Sequence, residues 1–277
     1  MREFKIKTCL EVGDLLFYAS ILSELKNRYD RVVIYPDFGL LYGRPEAELV
    51  KYRQFVLELC ERIFPKDFFV FDPNLDAQRL DPNQLCQIHG LRACIKKFNR
   101  ELCFGQPVTD DPYVAVCTKV RAFPFDTYRN HLKEKFCHSL SVLSKKYKIV
   151  VVGERTVGMN QEYKYHGSGW IYSVYNDIIS AVPQKSLIDI TLPEIGITSP
   201  DIKTFSQDCL TLNKSVCSIS IGGGGLTAMS LSVAKTITIN SWMEWPDFTN
   251  QIIEEEKKNG NEIVGDVDRF IQLMESL

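Results

Sequence analysis

Short, nearly continuous apolar runs recur along this chain, and between them lie longer stretches in which apolar residues return every three or four positions. The first rhythm belongs to strands buried on both faces and the second to helices laid over them. Phe4 to Cys9 reads as a strand, Asp14 to Arg28 as an amphipathic helix, and Arg31 to Tyr35 as a second strand. Glu46 to Phe64 reads as a long helix with Leu49, Tyr52, Phe55, Val56 and Leu59 on one face. A third strand, Phe68 to Phe71, precedes a helix over Leu85 to Phe104. The stretch Gly105-Gln-Pro-Val-Thr-Asp-Asp-Pro112 is polar and proline-containing, as interdomain linkers are. A boundary there divides residues 1–110 from residues 111–277.

The alternation then starts afresh. Strands are expected at Tyr113 to Thr118, Lys148 to Val152, Leu187 to Thr191, Ser215 to Ile221 and Lys235 to Asn240. Helices are expected at Tyr128 to Lys146, Tyr172 to Ala181, Ile202 to Leu210 and Leu226 to Ala234. A terminal helix, Val267 to Leu277, offers Phe270, Ile271 and Met274 for packing, either on the second domain or crossing back to brace the first. Two successive βα arrays imply an α/β fold of two Rossmann-like α/β/α domains facing a cleft. Ligands of such sheets gather at the carboxyl ends of the strands.

Between Ser215 to Ile221 and the helix at Leu226 stand four glycines, Gly222 to Gly225. Glycines there let backbone approach a ligand, and the helix start offers unpaired N–H groups and a positive dipole end. An anion, in particular a phosphate, suits such a turn. So does a tight turn that binds nothing.

The chain has 277 residues, 45% hydrophobic and 25% charged, which suits a soluble protein of about two domains. Its net charge of -2 supplies no basic field, so nucleic acid falls away as a partner. The nine cysteines form no C-x-x-C pair and no zinc-like spacing, and an odd count does not close a disulfide framework. They read as mostly buried thiols of a reducing compartment, with Cys137-His138 as a core cysteine beside a surface histidine. No apolar run has the length of a signal peptide core or a membrane span, so a cytoplasmic location is expected.

The opening strand followed by Val12-Gly-Asp-Leu-Leu-Phe-Tyr-Ala-Ser-Ile-Leu-Ser-Glu-Leu-Lys26 resembles the first βα unit of the lipopolysaccharide heptosyltransferase family, nucleotide-sugar glycosyltransferases of the GT-B fold. The second half is similar in order to that family's donor domain. A strand and polar loop at Tyr113 to Arg121 precede the Val-Val-Val-Gly strand at Ile149 to Gly153, and a strand, small-residue turn, short helix and strand come later at Ser218 to Ile239. The resemblance implies an acceptor-side first domain and a donor-binding second domain. It also implies sugar transfer from a nucleotide-diphosphate sugar to a glycan or glycolipid hydroxyl, inverting, with no metal or other cofactor.

Within that resemblance Asp14 falls on the proposed general base, which removes the acceptor hydroxyl's proton. It equally suits a helix N-cap, worth about 1 kcal/mol. Glu11 is its substitute. The leaving diphosphate would be held by the backbone of Gly223, Gly224, Gly225, Leu226 and Thr227. The family often has an acidic or hydroxyl side chain in this turn where this chain has glycine, so only the backbone contact carries over. Basic candidates are Arg121 and Arg155, preferred for the planar fork of arginine, then Lys119, with Thr156 assisting. Each is also an ordinary surface charge. Trp170, Tyr172, Trp242 and Trp245 are candidates to stack on a base or sugar ring, or to pack in the core. Glu244, Asp247 and His166 are weaker polar candidates.

Asp266-Val-Asp268 spells the D-x-D of metal-dependent sugar transferases, but at a helix start it reads as a cap. Gly223-Gly-Gly225-Leu-Thr-Ala228 satisfies the dinucleotide pattern G-x-G-x-x-A, so an NAD(P)-dependent oxidoreductase is a rival. The 37 residues after Asn240 look too few for the βαβαβ half that such a cofactor needs. A sugar-nucleotide epimerase or hydrolase, or a non-catalytic protein on the same scaffold, also remains open.

Overall fold

Parallel strands need crossover connections, and the helical stretches read from the sequence supply them. Strand β1 (Glu3–Cys9) pairs with β2 (Arg31–Asp37) and β2 with β3 (Phe69–Phe71), all parallel. Their connections carry α1 (Val12–Ser23) and α2 (Glu46–Ile63). The computed structural model describes the chain apart from residues 10–11, 38–45, 65, 67–68, 73, 75, 91–101, 122, 156–161, 165–169, 193–200, 223–224 and 240–252. Side chains 9, 12–14, 36–37, 46–49, 52–53, 71, 82–83, 121, 162–164, 170–171 and 225–228 likewise fall outside it.

Helix α1 is enclosed rather than amphipathic: Leu15, Leu16, Phe17, Tyr18, Ala19, Ile21 and Leu22 are all buried. Its one buried phenol, Tyr18, donates to the Leu80 carbonyl at 2.7 Å. The helix expected over Leu85 to Phe104 begins earlier, at Pro82, and is interrupted after His89 (α3, Pro82–His89), while residues 91–101 of that reading lie outside the described residues. Asp81 and Gln84 form a reciprocal capping box at its start, and Gly90, at φ 62°, takes the left-handed conformation that stops it.

The second half builds a six-stranded parallel sheet from β4 (Tyr113–Cys117), β6 (Lys148–Val152), β9 (Leu187–Asp189), β10 (Cys217–Ile221), β11 (Thr236–Ile239) and β12 (Glu262–Val264), in the order β12-β11-β10-β4-β6-β9. The chain starts in the middle, winds out to β9, returns beside β4 and winds out the other way. That is the doubly wound order of a Rossmann-like sheet. A small antiparallel sheet, β5 (Lys119–Arg121), β8 (Trp170–Ser173) and β7 (Glu162–Lys164), stands beside it. The sequence placed Lys119 and Arg121 in a loop and Tyr172 in a helix. Both segments are strands, too short to show a period of their own.

Side chains alternate across each strand of the large sheet. Val114, Val116, Ile149 and Val151 face one core with Phe136, Leu140, Phe270 and Met274, from α4 (Lys133–Leu143) and α8 (Val267–Glu275). The helix read over Tyr128 to Lys146 runs without a break to Leu143. A widened turn at Tyr128–Leu132 precedes α4, and α5 (Tyr175–Ala181) packs against α4 on the same face. Helix α8 stays on this face and does not cross back: Phe270 stacks on Phe136 at 6.4 Å, and the Tyr147 hydroxyl donates to the Leu277 carbonyl at 2.9 Å.

Ala115, Cys117, Val150 and Val152 face the opposite way. They join Phe205, Cys209 and Leu212 of α6 (Ile202–Lys214) and Met229 of α7 (Gly225–Val233) in one core with Leu15, Leu22, Phe55 and Leu59 of the first unit. Helix α1 packs on α7 and α2 on α6, where the Phe55 and Phe205 rings meet edge to face at 5.3 Å. The two α/β units therefore share a continuous apolar core. Buried hydroxyls on β10 pair across to β11, Ser218 with Thr236 at 2.7 Å and Ser220 with Thr238 at 3.0 Å. Pairing satisfies them, which is how a serine-rich strand sits in the middle of the sheet.

Candidate functional site

The winding reverses between β4 and β10, and outside their carboxyl ends lies the crevice where open α/β sheets bind ligands. The glycine run falls there. Gly222 closes β10 with φ 75° and donates its N–H to the Ile239 carbonyl at 2.6 Å. A side chain at that φ is strained, so glycine is required by the backbone alone. Gly225, Leu226 and Thr227 form the first turn of α7, while Gly223 and Gly224 lie outside the described residues. Asp14 lies in the first turn of α1, which begins at Val12. It is therefore two residues inside the helix and not its N-cap, and its side chain is outside the described part.

Strand β12, which has no counterpart in the elements expected from the sequence, completes the half-fold β10-α7-β11-β12-α8. The length argument against a dinucleotide cofactor is thus overturned. Position argues against it instead. The dinucleotide fingerprint comes after the first strand of the doubly wound sheet, which here is β4. Strand β4 leads through Thr118 directly into strand β5, with no glycine turn into a helix.

The other rim of the crevice is held together by Thr118. Buried at the end of β4, it accepts the Glu154 N–H on its hydroxyl at 2.8 Å, and its carbonyl accepts from Val174 N–H at 2.9 Å. Lys119 pairs with Glu154 at 3.2 Å, both half-buried. Arg155 is committed elsewhere. It donates from Nη2 to Asp189 at 2.9 Å and from Nε to Thr191 at 2.9 Å, and lies over the Tyr175 ring. Tyr175 and Thr191 also donate to Asp189, at 2.8 and 2.5 Å. Burial raises the Asp189 carboxyl, but the bonds from Thr191 and Tyr175 and the Arg155 guanidinium outweigh it and hold it below the ordinary carboxylate value. Among the described side chains, cations and carboxylates at this rim are matched. The start of α7 adds the positive end of a helix dipole beside it.

One carboxyl stands apart. Asp208, on the α6 face toward β4, is 7% exposed and makes no hydrogen bond or ion pair among the described residues. Burial, reinforced by the charge of Glu154, pushes its carboxyl up to about 8, which favours the protonated form. Its proximity in turn adds to the rise that burial imposes on the Cys117 thiol, pushed up to about 12. An acid buried with its hydrogen bonds unmade costs about 1–3 kcal/mol. The sequence carried no sign of it beyond one acidic residue within an otherwise half-apolar helix.

Tyr172 is a core residue: its ring packs on Phe125 at 5.0 Å and Tyr128 at 5.6 Å. Asp266 caps α8 through the Arg269 N–H and Asp268 pairs with Lys135, so the D-x-D is a helix start, as its position in the sequence suggested. The seven cysteines described are free, with Cys137 half-buried beside an exposed His138. Among the described residues no group of three or more His, Cys, Asp or Glu could hold a metal ion. Glu11, Thr156, His166, Trp242, Glu244, Trp245 and Asp247 lie outside the described residues, as do the side chains of Arg121 and Trp170. Among the described helices none is long and apolar enough to cross a membrane.

No protein-family model and no curated protein matches the chain. The solved structures similar to it include two of one protein. One is the iron-containing dodecameric glycosyltransferase TibC from enterotoxigenic E. coli H10407, at 12% identity and TM-score 0.46, covering 86% of this chain and 58% of that one. The other is the iron-containing dodecameric heptosyltransferase TibC with ADP-D-beta-D-heptose, at 12% identity and TM-score 0.47, covering 87% and 58%. This chain thus spans about 58% of the length of the structures it matches.

Proposed function

We propose that the chain is a glycosyltransferase that takes a nucleotide-diphosphate sugar at the switch point of the large sheet and transfers its sugar to a hydroxyl acceptor. The observation that carries this is positional: the glycine turn and the start of α7 stand at the reversal between β4 and β10, and α1, with Asp14 in its first turn, packs directly on α7. The backbone N–H groups opening α7 hold the diphosphate, and their dipole opposes the charge that builds on the leaving group. Side-chain cations play a lesser part, since Arg155 and Lys119 already face carboxylates. Asp14 takes the acceptor proton as the hydroxyl oxygen bonds to the anomeric carbon and the bond to the diphosphate breaks. The reaction inverts the sugar, needs no metal, and takes place in the cytoplasm on a glycan or glycolipid.

Thermal melts with UDP, GDP and ADP sugars test it. A donor at 100 times its Kd adds about 2.7 kcal/mol of stability. Asp14→Asn should keep that stabilisation and lose turnover by about 100-fold or more. Unchanged turnover would remove Asp14 from the chemistry. Stabilisation by NAD in place of any sugar nucleotide would favour the oxidoreductase.

A further inference from the structure

Over their described side chains, α1 and α7 have no face left for water: Leu15 to Leu22 are buried all the way round α1, and Met229 to Val233 all the way round α7. A helix covered only by its own sheet keeps a polar outer face. These two lie on different sheets and pack on each other, so each closes the outer face of the other. Beside them α2 meets α6, where Phe55 and Phe205 are 3% and 4% exposed.

The connector between the units is bound down too. Gly105 to Pro112 has the composition of a linker. Yet Gln207 of α6 donates from its side-chain amide to the Gln106 carbonyl at 2.8 Å, and Tyr113, where β4 begins, donates its hydroxyl to the Thr211 carbonyl at 2.7 Å. At Gly105, φ 129°, a β-carbon would stand 2.7 Å from Gln207 Oε1, so glycine is what lets the chain pass this close. From the first unit, Arg62 of α2 lies over the Phe104 ring, 4.4 Å from its centre.

We propose that this joint is a lock: the two α/β units move as one body, and the crevice stands at its working width before any ligand arrives. Units of one chain swing when the surface between them is small and polar, and hold when it is large and apolar. Here swinging would return the Phe55 and Phe205 rings and the facing sides of α1 and α7 to water, and would pull the connector off Gln207. The start of α1 and the start of α7 are thus kept at the spacing their packing sets. Within the nucleotide-sugar reading, on which this one consequence rests, the acceptor base and the diphosphate are aligned in advance, and no closing motion opposes binding.

Pulsed electron paramagnetic resonance on the whole chain tests this, with spin labels on a keto-bearing amino acid introduced at Ile88 of α3 and at Val142 of α4, exposed positions on the two units, so that the native thiols are left alone. Melts confirm that the labelled protein is folded. The free protein should give one narrow distance, and saturating UDP, GDP or ADP, or their sugars, should move it by less than about 2 Å. Two distances, a broad distribution or a larger shift with ligand would overturn the lock. A folded Phe205→Ala should widen the distribution, and one as narrow as in the unsubstituted chain would overturn the role given to the joint. If no nucleotide binds, the donor reading fails, and the free-protein distance still decides the lock by itself.

Discussion

The two faces of the six-stranded sheet are built to different ends. Toward α4 and α8 the face is aliphatic and aromatic, closed by the Phe136 and Phe270 rings, with Tyr172 contributing the unbonded buried hydroxyl described on that side. Toward α6, α7 and the first unit the face mixes apolar side chains with the Ser218–Thr236 and Ser220–Thr238 pairs, the unbonded hydroxyls of Ser206 and Thr211, and Asp208. An apolar face is the cheaper way to cover a sheet, since each buried polar atom must find a partner. Retaining polar groups beneath the switch point gives up stability where the ligand is expected, and the opposite face makes it good. Sites are commonly built at such a local cost.

That contrast fails or sharpens under substitution. Phe270→Ala should cost the most, about 3–5 kcal/mol, because the Phe136 stack cannot close over the cavity, and nucleotide affinity of the folded protein should not change. Chemical denaturation with titration of the folded variant checks both halves. Asp208→Asn should move in the other direction, and its effect should depend on pH. The Asp208 carboxyl is raised in the fold to about 8 from an unfolded value near 3.8, so the fold binds its proton more tightly. That contribution is complete below the unfolded value and is lost as pH rises toward 8. The variant should therefore gain stability over the wild type between about pH 5 and about pH 8. A constant difference in melting temperature across that range would mean Asp208 is not a buried acid.

Asp189 has the opposite sign. Its carboxyl is held low in the fold, so its contribution is present above the unfolded value and is lost as pH falls through the folded one. Asp189→Asn should cost about 1–3 kcal/mol near neutral pH, because Arg155, Thr191 and Tyr175 lose their acceptor, and the difference should shrink in acid. Smallest is Gly222→Ala, about 1 kcal/mol from forcing a β-carbon to φ 75°. Denaturation midpoints measure it.

Two strands of the large sheet were readable from their patterns: Lys148–Val152, a nearly continuous apolar run, stands where the sequence placed it, and Cys217–Ile221, an alternating one, within two residues. Lys119–Arg121, Trp170–Ser173 and Glu262–Val264 were not, because three or four residues of mixed polarity take strand form only from the neighbour they pair with. Without Glu262–Val264 the second half seemed too short for a dinucleotide half-fold, and the pairing of that strand with β11 is what corrects it. The glycine turn and the Asp14 segment were legible as motifs, since backbone freedom and helix starts are local properties. The pairing of Arg155 with Asp189, 34 residues on, and the burial of Asp208 are long-range facts. A side chain's partner cannot be read from its own segment.

Whether the switch point holds a nucleotide-sugar donor is most directly decided by titrating the whole chain with UDP, GDP and ADP beside NAD. Saturable binding of one diphosphate, with its sugar nucleotide competing and NAD inert, is expected. Binding of NAD alone, or of none of the four, would contradict it.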